Sequence, residues 1–434
     1  MSLTCFEMTD QKKQLTLEEA LKAVLSSATQ VTSKLNLPLA QAAGFTLAET
    51  VTAPINVPQN TNSAMDGYAF NGQDLAKFKQ WKIVGECLAG KGFDQPINTG
   101  EAVYITTGAA LPKGVNTVVM IEQCVVEGEQ VSFTNTDTLQ AGSNIRQAGE
   151  DIQQGQSLLT AGTRLGAVQL GLLASLGVAQ VKVHQPLKVA IFSTGDEVTA
   201  PGEALATNGI YDANRFTLLG MLQALGCEVS DLGILPDNLE VMISTLKNAS
   251  QTHQLVLTSG GVSVGDADFV KQALQALGET RLWRLALRPG RPFAFGHLGK
   301  NTNGQTCLFA GLPGNPVATL VTFMLLIQPL IRRLQGENTS EAKSHPAIWP
   351  AVAETTLFSR VGRSDFHRGI YSFTSNGQLQ VRTTGSQGSG ILTSAHEGNC
   401  LIRIPDDQAE IAAGDLVNIY PFYEWLPGYK GVSL

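Results

Sequence analysis

The chain has 434 residues, 43% of them hydrophobic and 15% charged, with a net charge of −7. That length points to about two to four domains rather than one core. The acidic balance excludes a surface that draws nucleic acid as a whole, so any anionic ligand needs a local basic pocket. Six cysteines (Cys5, Cys87, Cys124, Cys227, Cys307, Cys400) lie far apart without a CxxC pair. This argues against a zinc site or a disulfide framework and fits a reducing compartment. The opening MSLTCFEMTDQKK lacks the basic-then-apolar order of a signal peptide. The most apolar stretch, residues 317–331, carries Thr319, Thr322, Gln328 and Pro329 and reads as too short to span a bilayer. The expectation is a cytoplasmic chain with no membrane and no nucleic-acid partner.

In chain order, residues 16–30 read as a helix, with Thr16 and Glu19 as a capping box and Leu17, Ala20, Leu21, Val24 and Leu25 on one face. From residue 53 to 151 the pattern changes to short strands such as VYITTG and TVVMIEQCVV between Gly-rich turns. Helix returns over 163–178, so the β-rich part is an insertion between helical pieces. From 186 to 336 strands and helices alternate. KVAIFS precedes a helix at 213–225 stopped by Gly226, EVSDLGIL one at 239–249, and QLVLT one at 269–277 stopped by Gly278. The strands RLWRLAL and TCLFA follow, then a helix from Pro316 with Asn315 as its N-cap. This alternation implies a doubly wound parallel sheet with helices on both faces. After about Ser344 the strands AVAETTLF, GIYSF, LQVRTT, CLIRIP and LVNIYPF suggest a small β-barrel or sandwich.

Ligands of open parallel sheets bind beyond the carboxyl ends of the strands. After KVAIFS comes TGDE, with Glu197; after LGIL comes PDN, with Asp237; after LVLT comes TSGGVSVGDADF, with Asp266 and Asp268. After RLWRLAL comes RPGRP, and after TCLFA comes GLPGNP, with Pro313. Backbone N–H groups of residues 259–265, Gly260, Gly261 and Ser263 among them, suit a phosphate, although neither GxxxxGK[ST] nor GxGxxG is present. Carboxylates without His or Cys favour Mg²⁺ over zinc. Arg284 and Arg288, four apart on one expected strand, share a face, and with Arg291 they suit a tetrahedral oxyanion. Plainer readings stand beside these. Asp237 and Asp268 also suit helix caps, the arginines a solvated strand face, and GLPGNP a simple turn. Cys124 and Cys307 read as core, and the histidines as structural or surface groups.

Taken together, NSAMDGYA, TTGA, RQAGEDI, STGDEV, ILPDN, SGGVSVGDADF, RPGRPFAFG, GLPGNPV, FHRG and TGSQGSG follow one another in an order that resembles the molybdopterin molybdenumtransferase (MoeA and gephyrin E-domain) family over nearly the whole chain. The resemblance implies an α/β multidomain protein. Its parts would be a helical base (1–52 and 152–185), a β-rich lobe (53–151), a doubly wound, MogA-like molybdopterin-binding domain (186–340) and a C-terminal β-barrel (341–434). It implies insertion of molybdenum from molybdate into adenylated molybdopterin, with Mg²⁺-dependent release of AMP. Glu197, Asp237 and Asp268 would handle metal and nucleotide phosphate, and Gly260, Gly261 and Ser263 would form the ligand loop. Arg284, Arg288, Arg291, Pro313, Arg368 and Ser389 would line the cleft. In a homodimer, Asp66, Thr107 and Asp151 would complete that cleft from the partner subunit. Transient contacts with a molybdopterin adenylyltransferase and with recipient molybdoenzymes are implied as well. RPGRP replaces the family's KPGKP, and Ala318 stands where many relatives carry serine, which puts molybdate affinity in question. Two alternatives remain at this level: adenylylation of molybdopterin by the same α/β domain, and a non-catalytic cofactor-binding scaffold.

Overall fold

The computed structural model describes residues 14–28, 33–134, 136–261, 269–338 and 347–429. The chain divides into two compact units, Asn36–Ala43 with Glu49–Lys182, and Met1–Leu35 with Gly44–Ala48 and Val183–Leu434. Helix α1 (Leu17–Ser26), in the larger unit, starts where the sequence signals it. Thr16 Oγ1 accepts from the Glu19 N–H at 3.1 Å and Glu19 Oε2 accepts from the Thr16 N–H at 3.0 Å, which satisfies two donors the helix itself leaves open. Its buried face is Leu17, Ala20 and Val24.

The smaller unit is built on a sheet of β1 (Gly67–Phe70), β2 (Trp81–Cys87), β3 (Glu101–Ile105), β4 (Thr117–Met120), β5 (Cys124–Glu127) and β6 (Gln130–Phe133). Their order is β4-β1-β3-β2-β6-β5. The strand period of two sends Ala69, Val103, Ile105 and Val118 into one core and Tyr68, Phe70, Ala102 and Val119 into another, so both faces are covered. Helix α2 (Ala167–Ser175) is shorter than the predicted 163–178, because backbone Gly166 is its cap and Gly177 turns away with φ of +72°.

In the larger unit, β7 (Lys188–Thr194), α3 (Ala213–Ala224), β8 (Glu228–Leu235), α4 (Leu239–Thr252), β9 (Leu255–Ser259) and α5 (Phe269–Leu277) follow the predicted alternation. With β10 (Thr280–Arg284), β12 (Pro292–Lys300) and β13 (Thr306–Leu312) they make a sheet ordered β8-β7-β9-β13-β12-β10. The first four strands are parallel, and β12 and β10 run antiparallel at one side. Val189 and Ile191 of β7 pack with Leu218 and Leu222 of α3, while Ala190 and Phe192 pack with Met242 and Leu246 of α4 and Val270 and Leu274 of α5. That is the double winding, expressed through one strand's alternation. Cys307 is buried in this core as expected.

Three readings need correction. RLWRLAL is not one strand: β10 ends at Arg284, and β11 (Leu287–Arg288) pairs in parallel with a strand of the C-terminal sheet, Leu287 opposite Ser364 and Arg288 opposite Asp365. Between them the Leu285 N–H bonds the Arg291 carbonyl and the Ala286 N–H bonds the Leu15 carbonyl, which draws the backbone out of the first sheet. Arg284 and Arg288 therefore belong to two sheets, not one face. The second is β12 itself, a strand that the predicted series of RLWRLAL followed by TCLFA does not contain. The third is the apolar run near residue 320. Helix α6 (Pro316–Thr322) continues through a π turn (Phe323–Ile327) into α7 (Gln328–Leu334), 19 residues in all. By length and composition this helix is enough to cross a membrane, but 89% of its apolar window is buried inside the fold, so its apolarity serves the core.

The C-terminal strands β14 (Trp349–Ala353), β15 (Ser364–Phe373), β16 (Leu379–Thr383), β17 (Cys400–Ile404) and β18 (Leu416–Pro421) close into a five-stranded barrel in the order β15-β16-β14-β18-β17 and back to β15. Closure removes free edges, and Val381, Ile402, Ile404, Val417 and Ile419 fill the interior.

Candidate functional site

The carboxyl ends of β7, β8, β9 and β13 carry most of the predicted groups. Thr194, the last residue of β7, donates its hydroxyl to Asp237 Oδ1 at 2.8 Å. Asp237 does not cap α4. Asn238 does, its side chain accepting from the Val241 N–H at 3.1 Å, so the plainer reading of Asp237 falls to its neighbour. Glu197 is exposed and its carboxylate folds back on Gly195, where an added Cβ would lie 2.7 Å from Oε2. After β9 the chain turns at once. The Gly260 N–H bonds the Leu312 carbonyl at 3.1 Å, and Gly261 has φ of +64°. A side chain at Gly261 would meet Val270 Cγ2 at 2.6 Å and Thr194 Cγ2 at 2.8 Å, so this turn admits only glycine. Ser263, Asp266 and Asp268 lie outside the described residues.

Pro313, just past β13, is buried, and its carbonyl accepts from Thr319 Oγ1 at 2.5 Å. The next residue is tied down from a position that the sequence reading missed. Asn214 Nδ2 donates to the Gly314 carbonyl at 2.7 Å, while Asn214 Oδ1 is buried without a hydrogen-bond partner among the described residues. Asn214 opens α3 beside Asp212, whose side chain caps that helix and pairs with Arg215 Nε at 2.8 Å. The polar run YDANR after a turn was the available signal.

A second group forms around barrel strand β15. Arg368 is fully buried. Its Nε donates to Ser394 Oγ at 2.9 Å and its Nη2 to the Gly388 carbonyl at 3.0 Å, while its backbone N–H is held by Gln387 Oε1 at 2.8 Å. These bonds clasp the loop containing Ser389, whose carbonyl accepts from the Val317 N–H near the start of α6 at 3.0 Å. The side-chain partners of Arg368 are neutral oxygens. Burial pushes its pKa down to about 10, with the charge of Arg288 adding to the effect, so it stays a cation at neutral pH. Arg288 reaches the buried Asp365 at 3.5 Å. Arg284, Arg288 and Arg291 are all exposed, with Arg284 on the other sheet. Ala318 is buried one turn before Thr322, whose hydroxyl is buried without a hydrogen-bond partner among the described residues.

In the smaller unit, Asp66 and Thr107 come together. Asp66 Oδ1 accepts from the Thr107 N–H at 2.6 Å and from Thr107 Oγ1 at 2.8 Å. The backbone bond first, then the hydroxyl bond, hold the Asp66 carboxyl below its ordinary value. A depressed pKa keeps the charged form as pH falls and loses it only near the folded-state value. Thr107→Val removes the hydroxyl bond alone, so the Asp66 titration should move to higher pH. An NMR titration of Asp66 in both proteins measures this directly. Asp151 is exposed, with its N–H bonded to the Val57 carbonyl at 3.0 Å.

Among the described residues no three His, Cys, Asp or Glu side chains converge as a metal cluster. Of the expected acids, Glu197 and Asp237 are placed at neighbouring strand ends, and Asp237 Oδ2 has no hydrogen bond among those residues. One or two carboxylates with open oxygens beside a glycine turn fit Mg²⁺, which keeps most of its waters.

A doubly wound domain with acids at its strand ends and a closed barrel that encloses a buried guanidinium define a multidomain α/β protein. Residues 15–177 match the family model for the MoeA N-terminal region (domain I and II), 190–333 that for a probable molybdopterin binding domain, and 350–422 that for the MoeA C-terminal region (domain IV). The chain is 42% identical over 408 residues to the molybdopterin molybdenumtransferase of Haemophilus influenzae, covering 94% of this chain and 98% of that one. It is 33% identical to the enzyme of the same name from Nostoc sp., over 86% of this chain and 85% of the relative. A crystal structure of the molybdopterin biosynthesis MoeA protein from Pyrococcus horikoshii superposes with a TM-score of 0.79 at 26% identity, covering 94% of this chain and 99% of that one. The chain belongs to the molybdopterin molybdenumtransferase (MoeA) family.

Proposed function

We propose that this chain is a transferase of molybdenum cofactor biosynthesis that inserts molybdenum into molybdopterin. In finer detail, molybdate and adenylated molybdopterin are the substrates and AMP is released. The observation that carries this reading is Arg368, a fully buried guanidinium whose side-chain bonds run to neutral oxygens. A buried cation is costly unless an anion joins it, and a tetrahedral oxyanion suits its planar fork. Arg288, Arg291 and Ser389 flank the same anion site, and Arg284 contributes charge from the neighbouring sheet.

At the strand ends, Gly261 turns its backbone N–H toward the pterin phosphate, Gly260, whose own N–H is bonded to Leu312, lets the chain approach closely, and Pro313 and Gly314 wall the same turn. Thr194 holds the Asp237 carboxylate in one orientation. Glu197 and Asp237, with Asp268, would hold Mg²⁺, which supplies positive charge to the phosphates when bound. Asp66, Thr107 and Asp151 from a second copy would complete the cleft of a homodimer working in the cytoplasm. The four-part division at residues 52, 151, 185 and 340 belongs to the same proposal, as do transient contacts with a molybdopterin adenylyltransferase and with molybdoenzymes. The test mixes the full chain with adenylated molybdopterin, molybdate and Mg²⁺ and follows AMP. Molybdate-stimulated, chelator-sensitive release is the expected result. ATP-dependent adenylation of free molybdopterin instead would overturn it.

A further inference from the structure

The RPGRP segment and the barrel meet at one carboxylate. Asp365 on β15 is fully buried, and its backbone register partner on β11 is Arg288. Arg288 Nη1 donates to Asp365 Oδ2 at 3.5 Å, Arg363 Nε lies 3.0 Å from Oδ1, and His367 Nε2 is 3.9 Å from Oδ2. Three residues along the same strand is Arg368, which feels the charge of Arg288. Arg288 and Arg368 repel each other, and Asp365 pairs with Arg288 and Arg363. Burial pushes the Asp365 carboxyl up, but His367, Arg363, Ser359 and, least of them, Arg288 outweigh it and hold the pKa below the ordinary value, so the group is charged.

We propose that Asp365 is a positioning residue that braces Arg288 beside Arg368, giving the oxyanion two guanidinium forks in one arrangement. The inference rests on the reading of Arg288 and Arg368 as molybdate ligands. It also accounts for arginine at 288, because a planar fork bonds a carboxylate on one edge and presents its other edge outward, which an ammonium cannot do. Half-exposed Arg288 would otherwise sample many rotamers, and ordering it on binding costs affinity. Charge alone predicts the opposite effect, since deleting an acid beside a dianion site tightens anion binding. The two accounts differ in sign.

The experiment measures KM for molybdate and kcat, by AMP release from the full chain, in wild type, Asp365→Asn, Arg288→Ala and the double variant. Bracing predicts that Asp365→Asn raises KM about tenfold with kcat within about threefold, and that the double variant is no worse than Arg288→Ala alone, because coupled residues are non-additive. A lowered or unchanged KM in Asp365→Asn overturns the proposal, and so does a tenfold penalty that persists on the Arg288→Ala background. An Arg288→Ala variant with wild-type KM overturns the anion-site reading beneath it, which a failure confined to Asp365 does not. If Asp365→Asn does not fold, Asp365→Glu keeps the charge but displaces it, and the same logic predicts a KM about threefold higher with kcat retained. An unchanged KM there overturns the proposal.

Discussion

Arg368→Met should abolish molybdate-dependent AMP release while leaving the protein as stable as wild type or more so. Methionine keeps the unbranched apolar stem of arginine as far as about Nε and removes the guanidinium with its charge. A hydrogen bond to a charged group contributes about 1.5–3 kcal/mol, so an oxyanion that loses two from one guanidinium loses about 3–6 kcal/mol, a factor of roughly 10²–10⁴. Stability should move the other way. Among the described residues this buried cation has Ser394 Oγ and the Gly388 carbonyl as its side-chain hydrogen-bond partners, and buried charges replaced by apolar groups are often neutral or stabilising. Two measurements decide the matter: thermal melts with and without molybdate, and AMP release. A retained melting temperature, no molybdate-induced rise and a collapsed rate are expected, since an anion that no longer binds no longer stabilises. A large fall in melting temperature with a proportionate loss of rate would make Arg368 a clasp for the 384–394 loop and no more.

The parallel half of the α/β sheet was legible because three of its four strands, β7, β9 and β13, are almost wholly buried and write themselves as apolar runs, KVAIFS and LVLT among them. Strand β12 was not. Pro292, Gly296 and Gly299 demote it by local rules, yet proline is tolerated at the first residue of a strand, and an antiparallel place between β13 and β10 supplies its partners from afar. The break in RLWRLAL has the same origin, a non-local pairing of Leu287 with Ser364 that no window of sequence contains. At the site, Asp66 and Thr107 were singled out only through family resemblance, and 41 residues separate two groups now 2.6 Å apart. Asp365 escaped notice because S-D-F-H-R-G alternates like a half-solvated strand, whereas all six residues are buried. Asn214 was hidden as an ordinary helix-start residue. Strand ends could be found from pattern; the groups that orient them could not.

The last large effect separates two adjacent residues. Asp237→Ala should cut AMP release by about two to three orders of magnitude, the scale of removing a group that stabilises developing charge, with folding little changed. The variant loses one hydrogen bond, from Thr194 Oγ1, which contributes about 1 kcal/mol. The first turn of α4 stays capped, because Asn238 Oδ1 and not Asp237 takes the Val241 N–H. Asn238→Ala should show the reverse: about 1 kcal/mol lost in urea unfolding, the usual cost of a missing N-cap, with AMP release within about twofold of wild type. The pair works as an internal control, since both substitutions shorten a side chain in the same loop by similar volume. If Asp237→Ala lost stability and rate together while Asn238→Ala did the same, the PDN turn would be structural throughout, and the acids at the strand ends would lose their claim to the chemistry. If only Asp237→Ala silenced the reaction, the carboxylate held by Thr194 would be placed at the reacting phosphate, with the helix behind it untouched.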